Sequence, residues 1–144
     1  GMAGGQALDL EATGASLSLA ELENIHIHKT GALIRCSVLL GAMCTEELTD
    51  ATRQALDHYA KCIGLAFQIV DDILDVTSDT ETLGKTGGKD AAANKATYPA
   101  LIGLDGARDM AQRLVDEALD NIADFDGKAN PLRDLARYIV GRKH

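Results

Sequence analysis

Residues 67–75 (Phe-Gln-Ile-Val-Asp-Asp-Ile-Leu-Asp) set three carboxylates and a glutamine among residues apolar enough to be buried. A helix turns by about 100° per residue, so Asp71 and Asp75 lie only about 40° apart, and Gln68 joins the same face. Carboxylates rarely stay unpaired in apolar surroundings, because removing an ion from water costs more than packing returns. A divalent cation is the simplest compensation. Oxygen ligands favour Mg²⁺, Mn²⁺ or Ca²⁺ over zinc.

The alternative is a solvated acidic helix end, since Asp-Asp pairs are common and short motifs remain hypotheses. The apolar flanks and the aligned Gln68 favour the cation site. Asp72 lies off this face, and we expect it to support its neighbours or a bound water. Because Mg²⁺ usually binds through one or two carboxylates together with substrate phosphates, the segment predicts a phosphate-bearing ligand.

The helix that carries this segment is apolar nearly all round, which is typical of a buried helix. Upstream on its polar face lie Gly64 and Ala60, both small enough to leave room for a ligand. We therefore predict a central helix with one polar stripe facing a cavity.

A second helix is predicted from the capping box at Ser18 and Glu21 to about Met43. Its core-facing stripe has spacings of three and four and consists of Leu22, Ile25, Lys29, Ala32, Cys36, Leu39 and Met43. Lys29 is its one charged member; it either extends to the surface or points its ammonium into the cavity that receives Asp71. Gly31 costs a helix about 1 kcal/mol relative to alanine, which makes sense if the backbone at Thr30 opens toward a ligand.

The remaining pattern is helical, with one long irregular segment. Thr45 is expected to cap the central helix, which then continues to about Val76. Residues 78–97 lack periodicity and are predicted to form a flexible loop. Further helices are expected near Tyr98, over residues 107–125, and from Asn130-Pro131 through Val140. With no strand alternation, the predicted fold class is all-α, and 144 residues is the length of one ordinary domain.

The irregular segment contains Lys85, Lys89 and Lys95. Each could be an ordinary solvated lysine. A glycine-rich loop that follows an acidic helix end can also close its cations over an anionic substrate, and Lys85, the first after Asp75, is the best candidate.

Composition limits the classes of function. The aromatic content of 3% favours helix over sheet, and the net charge of −8 argues against nucleic acid as a partner. No apolar run is long enough to cross a membrane, and residues 1–10 lack the basic start of a signal peptide.

The three cysteines share no metal-type spacing with one another. Cys36, Cys44 and Cys62 are expected to be small core residues in a reducing cytoplasm. His26 and His28 are two residues apart and therefore face different sides of a helix, which indicates structural or substrate-facing roles rather than a zinc pair.

Taken together, these motifs resemble the C-terminal half of the all-trans prenyl diphosphate synthases. The matching segments are residues 71–75 with Phe67-Gln68 before them (the second aspartate-rich motif), 28–31 (His-Lys-Thr-Gly), 84–85 (Gly-Lys), 95–99 (Lys-Ala-Thr-Tyr-Pro) and 1–10. The resemblance covers essentially the whole chain. The sequences of these segments are most similar to those of the bacterial short-chain branch, above all the farnesyl diphosphate synthases (geranyltranstransferases).

The resemblance implies the C-terminal part of the isoprenoid synthase helical bundle. It also implies a Mg²⁺-dependent condensation of an allylic diphosphate with isopentenyl diphosphate through an allylic carbocation, with Mn²⁺ as an alternative ion. Asp71 would hold the metal ion, with Asp75 and Asp72 supporting it directly or through water. Lys29, Lys85 and Lys95 would bind the allylic diphosphate. The Thr30 carbonyl and the Gln68 side chain would stabilise the cation.

The family's first aspartate-rich motif and the upstream basic residues match nothing in this sequence. We therefore expect a fragment that is inactive alone, from a parent that forms a homodimer. Apolar faces that the missing half would cover should drive self-association or bind that half. Two alternatives remain: a geranylgeranyl diphosphate synthase, and a non-catalytic diphosphate-binding or regulatory subunit.

Overall fold

The computed structural model describes residues 1–12, 14–45, 47–82 and 96–142. In these ranges every regular element is helical, which confirms the all-α fold class. The elements are α1 (Met2–Glu11), α2 (Leu19–His26), a π-helical turn (Ile27–Gly31), α3 (Ala32–Ala42), α4 (Asp50–Thr82), α5 (Tyr98–Asn121), a 3₁₀ turn (Gly127–Ala129) and α6 (Asn130–Gly141). None of these helices is both long and apolar enough to cross a bilayer.

Helix α4 is the centre of the fold, as predicted. It packs against α3, α5, α6 and the π-helical turn. Tyr59, Ala66 and Ile69 on this helix are completely covered. The Tyr59 hydroxyl donates to the Leu132 carbonyl over 2.7 Å and ties α4 to α6. Burial raises the pKa of Tyr59 to about 12, because the charged phenolate would lose its hydration.

The start of α2 confirms the predicted capping box. The Glu21 backbone N–H donates to Ser18 Oγ at 3.4 Å, and the Ser18 N–H donates to Glu21 Oε2 at 2.8 Å. The bonds that Ser18 donates to the Glu21 carboxylate, from its backbone N–H and from its hydroxyl at 2.7 Å, hold the pKa of Glu21 below its ordinary value. Helix α2 and α3 form the single predicted helix, widened between them by the π-helical turn.

The prediction that Thr45 caps the central helix is wrong. The Thr45 N–H bonds back to the Ala42 carbonyl, so this residue closes the turn after α3. Thr49 is the cap instead: its Oγ1 accepts from the Thr52 backbone N–H at 3.1 Å. A capping residue is predicted from its immediate neighbours in the sequence, and Thr45 and Thr49 fit that local pattern equally well.

Other helix ends also differ from the predictions. Helix α4 continues to Thr82, and Thr97, whose hydroxyl accepts from the Ala100 N–H at 3.3 Å, caps α5. The predicted gap between the helical patterns near Tyr98 and Ala107 corresponds to Gly103, whose φ of 78° interrupts α5. That region of φ is open to glycine and strained for other residues.

The connection from α5 to α6 depends on Arg133. Its Nη2 donates to the Ile122 and Phe125 carbonyls at 2.7 and 2.6 Å, which ends α5 at Asn121 rather than near Phe125. Asn130 lies inside the first turn of α6 instead of capping it, and its Oδ1 accepts from Arg133 Nη1 at 2.9 Å.

The predicted core stripe of the first long helix holds only in its N-terminal half. Leu22 and Ile25 are buried, whereas Cys36 and Met43 are exposed. Cys44 is exposed as well, so of the three cysteines only Cys62 is the expected core residue. The described residues cover α3 on the sides that face α4 and the π-helical turn, and they leave its outer face open.

Candidate functional site

The π-helical turn Ile27–Gly31 contains the Lys29 and Thr30 singled out by the sequence. Two glycines on neighbouring helices allow it to pack closely. A Cβ added at Gly5 would overlap the backbone of Lys29, and one at Gly64 would lie 3.1 Å from the Gly31 Cα. The turn is thus held between α1 and α4. Such wide turns inside helices are frequent at functional sites.

This packing corrects the expectation for Gly64 and Ala60. Both residues are buried. Gly64 is small so that the π-helical turn can approach α4, not because a ligand needs the room. The irregular backbone predicted at Thr30 is present as the π-helical turn.

The Lys29 ammonium is directed toward α1. Its Nζ donates to Asp9 Oδ2 at 2.6 Å, and both side chains are largely covered, with 26% and 16% of their surface exposed. The structure therefore gives Lys29 a partner that neither sequence-based alternative included. Asp9 belongs to the same N-terminal segment as Gly5, so α1 both orients this lysine and packs on its backbone.

The polar face of α4 brings Gln68 and Asp71 into contact. The buried Gln68 donates from Nε2 to Asp71 Oδ2 at 3.2 Å. Asp71 is partly exposed and Asp75, one turn further, is exposed. The predicted shared face of these residues is therefore present, with Gln68 at its covered end and Asp75 at its open end.

Arg142, which no sequence motif indicates, contacts this face as well. Its Nη2 donates to Asp71 Oδ1 and, over 3.0 Å, to the Phe67 carbonyl. The guanidinium also lies 4.1 Å from the centroid of the Phe67 ring, a cation–π contact. Arg142 stands at the end of α6, and nothing in a single terminal arginine signals that it reaches a carboxylate on α4.

Asp72 supports the architecture, as expected from its position off the polar face. It is buried, and its Oδ2 accepts the Tyr98 backbone N–H at 3.0 Å and lies 3.4 Å from His26 Nε2. The His26 and Tyr98 rings stack with centroids 5.7 Å apart. Burial raises the pKa of Tyr98, and the charges of Glu23 and Asp72 raise it further. His26 is thus structural, whereas His28 is exposed and contacts the Asn24 carbonyl at 2.8 Å.

The site residues predicted from sequence therefore fall into three groups. Gln68, Asp71 and Asp75 share one face of α4, and the π-helical turn with Lys29 and Thr30 touches that helix at Gly64. Asp72 instead contacts Tyr98 and His26. Lys85 and Lys95 lie outside the described residues.

Comparison with known proteins identifies the family of this chain. The family model of the polyprenyl synthetases matches residues 1–132. The chain is 51% identical to the farnesyl diphosphate synthase of Escherichia coli strain K12, over 99% of this chain and 48% of that protein. It is 50% identical to a chloroplastic geranylgeranyl pyrophosphate synthase of Capsicum annuum, over 99% of this chain and 39% of that protein.

Among solved structures, the chain resembles the geranyltransferase of Helicobacter pylori complexed with magnesium and isoprenyl diphosphate. The TM-score is 0.74 at 33% identity, over 98% of this chain and 46% of that one. The chain belongs to the polyprenyl synthetase family and has the helical fold of the isoprenyl synthases. It spans about half the length of the curated relatives it matches.

Proposed function

We propose that this chain is one part of a Mg²⁺-dependent prenyltransferase that condenses dimethylallyl or geranyl diphosphate with isopentenyl diphosphate to give farnesyl diphosphate. The reaction would proceed through an allylic carbocation. The observation that carries the proposal is the Gln68–Asp71–Asp75 face of α4, beside a π-helical turn that presents Lys29 and Thr30. The farnesyl diphosphate synthase relative and the magnesium and isoprenyl diphosphate in the related crystal structure support it.

The donor set on α4 fits a hard divalent cation. Asp71 and Asp75 offer carboxylate oxygens at the open end of a polar face, which is the chemistry that Mg²⁺ prefers and Mn²⁺ accepts. Asp72 would support the metal site indirectly, because its Oδ2 already accepts the Tyr98 N–H. The bound ion would neutralise charge on the diphosphate leaving group.

The protein's own residues would position and polarise the substrate. Lys29, with its ammonium fixed by Asp9, would bind the allylic diphosphate together with Lys85 and Lys95. Gln68, held by its hydrogen bond to Asp71, and the Thr30 carbonyl would place fixed dipoles near the carbon that becomes positive. Arg142 must share or release Asp71 when a cation binds there, because its guanidinium occupies Oδ1.

We propose that the whole protein is a cytoplasmic homodimer. We expect this chain alone to show no turnover and to self-associate or bind the complementary half. The exposed apolar residues of α3 supply a surface for such association: Leu33, Leu40 and Met43 are 60%, 60% and 68% exposed.

A second candidate product is geranylgeranyl diphosphate, favoured by the 50% identity to the Capsicum annuum protein. A non-catalytic diphosphate-binding subunit is the other alternative; the intact face on α4 argues against it.

The test is an assay of the full-length protein with geranyl and isopentenyl diphosphates, with and without Mg²⁺, followed by chromatography of the prenyl products. We expect farnesyl diphosphate only when Mg²⁺ is present. A longer product would select the second candidate, and binding of the diphosphates without turnover would select the non-catalytic subunit. The same assay on this chain alone should give no product.

A further inference from the structure

A cluster of three metal-binding side chains lies between α4 and α5, away from the face that carries Asp71. It consists of His58, Cys62 and Glu117, whose ligand atoms all lie within 4.8 Å of one another. His58 Nε2 and Glu117 Oε1 are 2.6 Å apart. His58 and Cys62 are four residues apart on α4, about 140–180° around the helix from Asp71, so the cluster shares no residue with the candidate diphosphate site.

The three donors are of the types that zinc prefers: an imidazole, a thiol and a carboxylate. Ligand atoms of a tetrahedral zinc ion are about 3.3–3.6 Å apart, a spacing that follows from zinc–ligand bonds of about 2.0–2.3 Å. The present spread requires shifts of about 1 Å. His58 and Glu117 can make them, since 47% and 53% of their side-chain surfaces are exposed, while the buried Cys62 provides a rigid anchor.

The local charges leave the cluster open to a cation. Lys61 and Arg35, which line the adjoining cavity, are both paired with Asp57, the first at 2.8 Å. The carboxylate of Glu117 is paired within the cluster, with His58. Burial, and after it the charge of Glu117, raises the pKa of the Cys62 thiol to about 11, so a metal ion would have to displace the thiol proton into solvent.

The cluster also borders a cavity. His58, Cys62 and Glu117 line a space of about 550 Å³ together with Glu23 and Ile27 of the neighbouring elements. A tetrahedral ion held by three protein ligands has one further position, and here a water molecule could fill it from the cavity.

We propose that His58, Cys62 and Glu117 bind a zinc ion that joins α4 to α5, separately from the Asp71 site. The ion replaces the direct His58–Glu117 contact, takes the Cys62 thiolate as its third protein ligand and completes its shell with water.

The experiment uses cobalt as a spectroscopic substitute for zinc, on the full-length protein with any purification tag removed. The background carries Cys36→Ser and Cys44→Ser, which remove the two exposed thiols among the described residues. Titration with Co²⁺ should produce a near-ultraviolet thiolate-to-cobalt charge-transfer band at one equivalent, and Zn²⁺ should abolish it. Cys62→Ser should remove the band, and His58→Gln should weaken Zn²⁺ binding at least tenfold in competition with a chelator.

Two controls separate this site from its surroundings. Asp71→Asn should leave the band unchanged, because that residue belongs to the other face of α4. His58→Gln substitutes an exposed side chain, so it tests the site even if Cys62→Ser fails to fold. The proposal is overturned by an absent band, by a band that persists in Cys62→Ser, or by unchanged zinc affinity in His58→Gln.

Discussion

Arg142 donates a hydrogen bond to Asp71, the carboxylate best placed to hold a metal ion, from 71 residues further along the chain. The same guanidinium is fixed by the Phe67 carbonyl and ring. A cation at Asp71 and the arginine compete for one oxygen, while Gln68 keeps the other. The end of α6 is therefore coupled to occupancy of the polar face on α4.

Replacing Arg142 should strengthen cation binding. We expect Arg142→Ala to raise the affinity for Mn²⁺, measured by paramagnetic resonance with inorganic diphosphate present, by about threefold to tenfold, since a half-buried charge pair is worth about 1 kcal/mol. Arg137→Ala is the matched control, because Arg137 is on the same helix and pairs only with the exposed Asp134 among the contacts described. Equal affinities of Arg142→Ala and wild type would show that the arginine does not compete.

Substitutions at Asp71 and Asp72 should affect different properties: the reaction rate at Asp71 and the stability of the fold at Asp72. In the full-length protein Asp71→Ala should lower kcat by at least about 100-fold, in line with the loss of a major electrostatic contribution, while thermal stability changes little. Asp72→Ala should destabilise the fold by about 1–3 kcal/mol, because it leaves the buried Tyr98 N–H without its acceptor. Activity assays and denaturant unfolding of both variants check this. A near-normal rate for Asp71→Ala would refute its metal role.

Gly5 and Gly4 form a matched pair on α1. A Cβ at Gly5 would overlap the Lys29 backbone, whereas one at Gly4 meets nothing within 4 Å. Gly5→Ala should therefore destabilise the protein by about 1–3 kcal/mol, typical of overpacking. Gly4→Ala should be neutral or stabilising by up to about 1 kcal/mol, the helix propensity difference. Urea unfolding curves measure both, and equal effects would show that α1 does not pack closely on the π-helical turn.

Asp57 should make stability depend on acid pH. Its hydrogen bond from Arg35, assisted by Lys61, holds the pKa of Asp57 below its ordinary value. A carboxylate with a lowered folded-state pKa stabilises the fold above its unfolded pKa of about 4 and loses that contribution as pH falls through the folded value. Asp57→Asn should cost about 0.5–1 kcal/mol at pH 7, and this cost should shrink as the pH falls below about 4 and through the folded-state pKa of Asp57.

The control for this pH effect is Asp134→Asn, because Asp134 lies beyond the first turn of α6, is highly exposed and pairs only locally with Arg137 among the described residues. Unfolding free energies across the pH range should coincide for this variant and the wild type. A difference between Asp57→Asn and wild type that does not shrink as the pH is lowered below about 4 would contradict the assignment.

The sequence alone determined the helical class, the central position of α4 and the shared face of Gln68, Asp71 and Asp75. It did so because helical periodicity and the cost of burying carboxylates act within a few residues along the chain. The capping box at Ser18 and the irregular backbone near Gly31 were predictable for the same local reason. The position of Thr49 rather than Thr45 at the start of α4 was not, since both residues satisfy the local pattern.

The directions of the charged side chains depend on tertiary packing. Lys29 pairs with Asp9 and Arg142 with Asp71 across 20 and 71 residues, distances over which sequence periodicity carries no information. Gly64 is small because the π-helical turn crosses it, and Cys36 is exposed because the described residues leave the outer face of α3 uncovered. A helical pattern identifies an apolar face, but whether that face is buried depends on which neighbours pack against it.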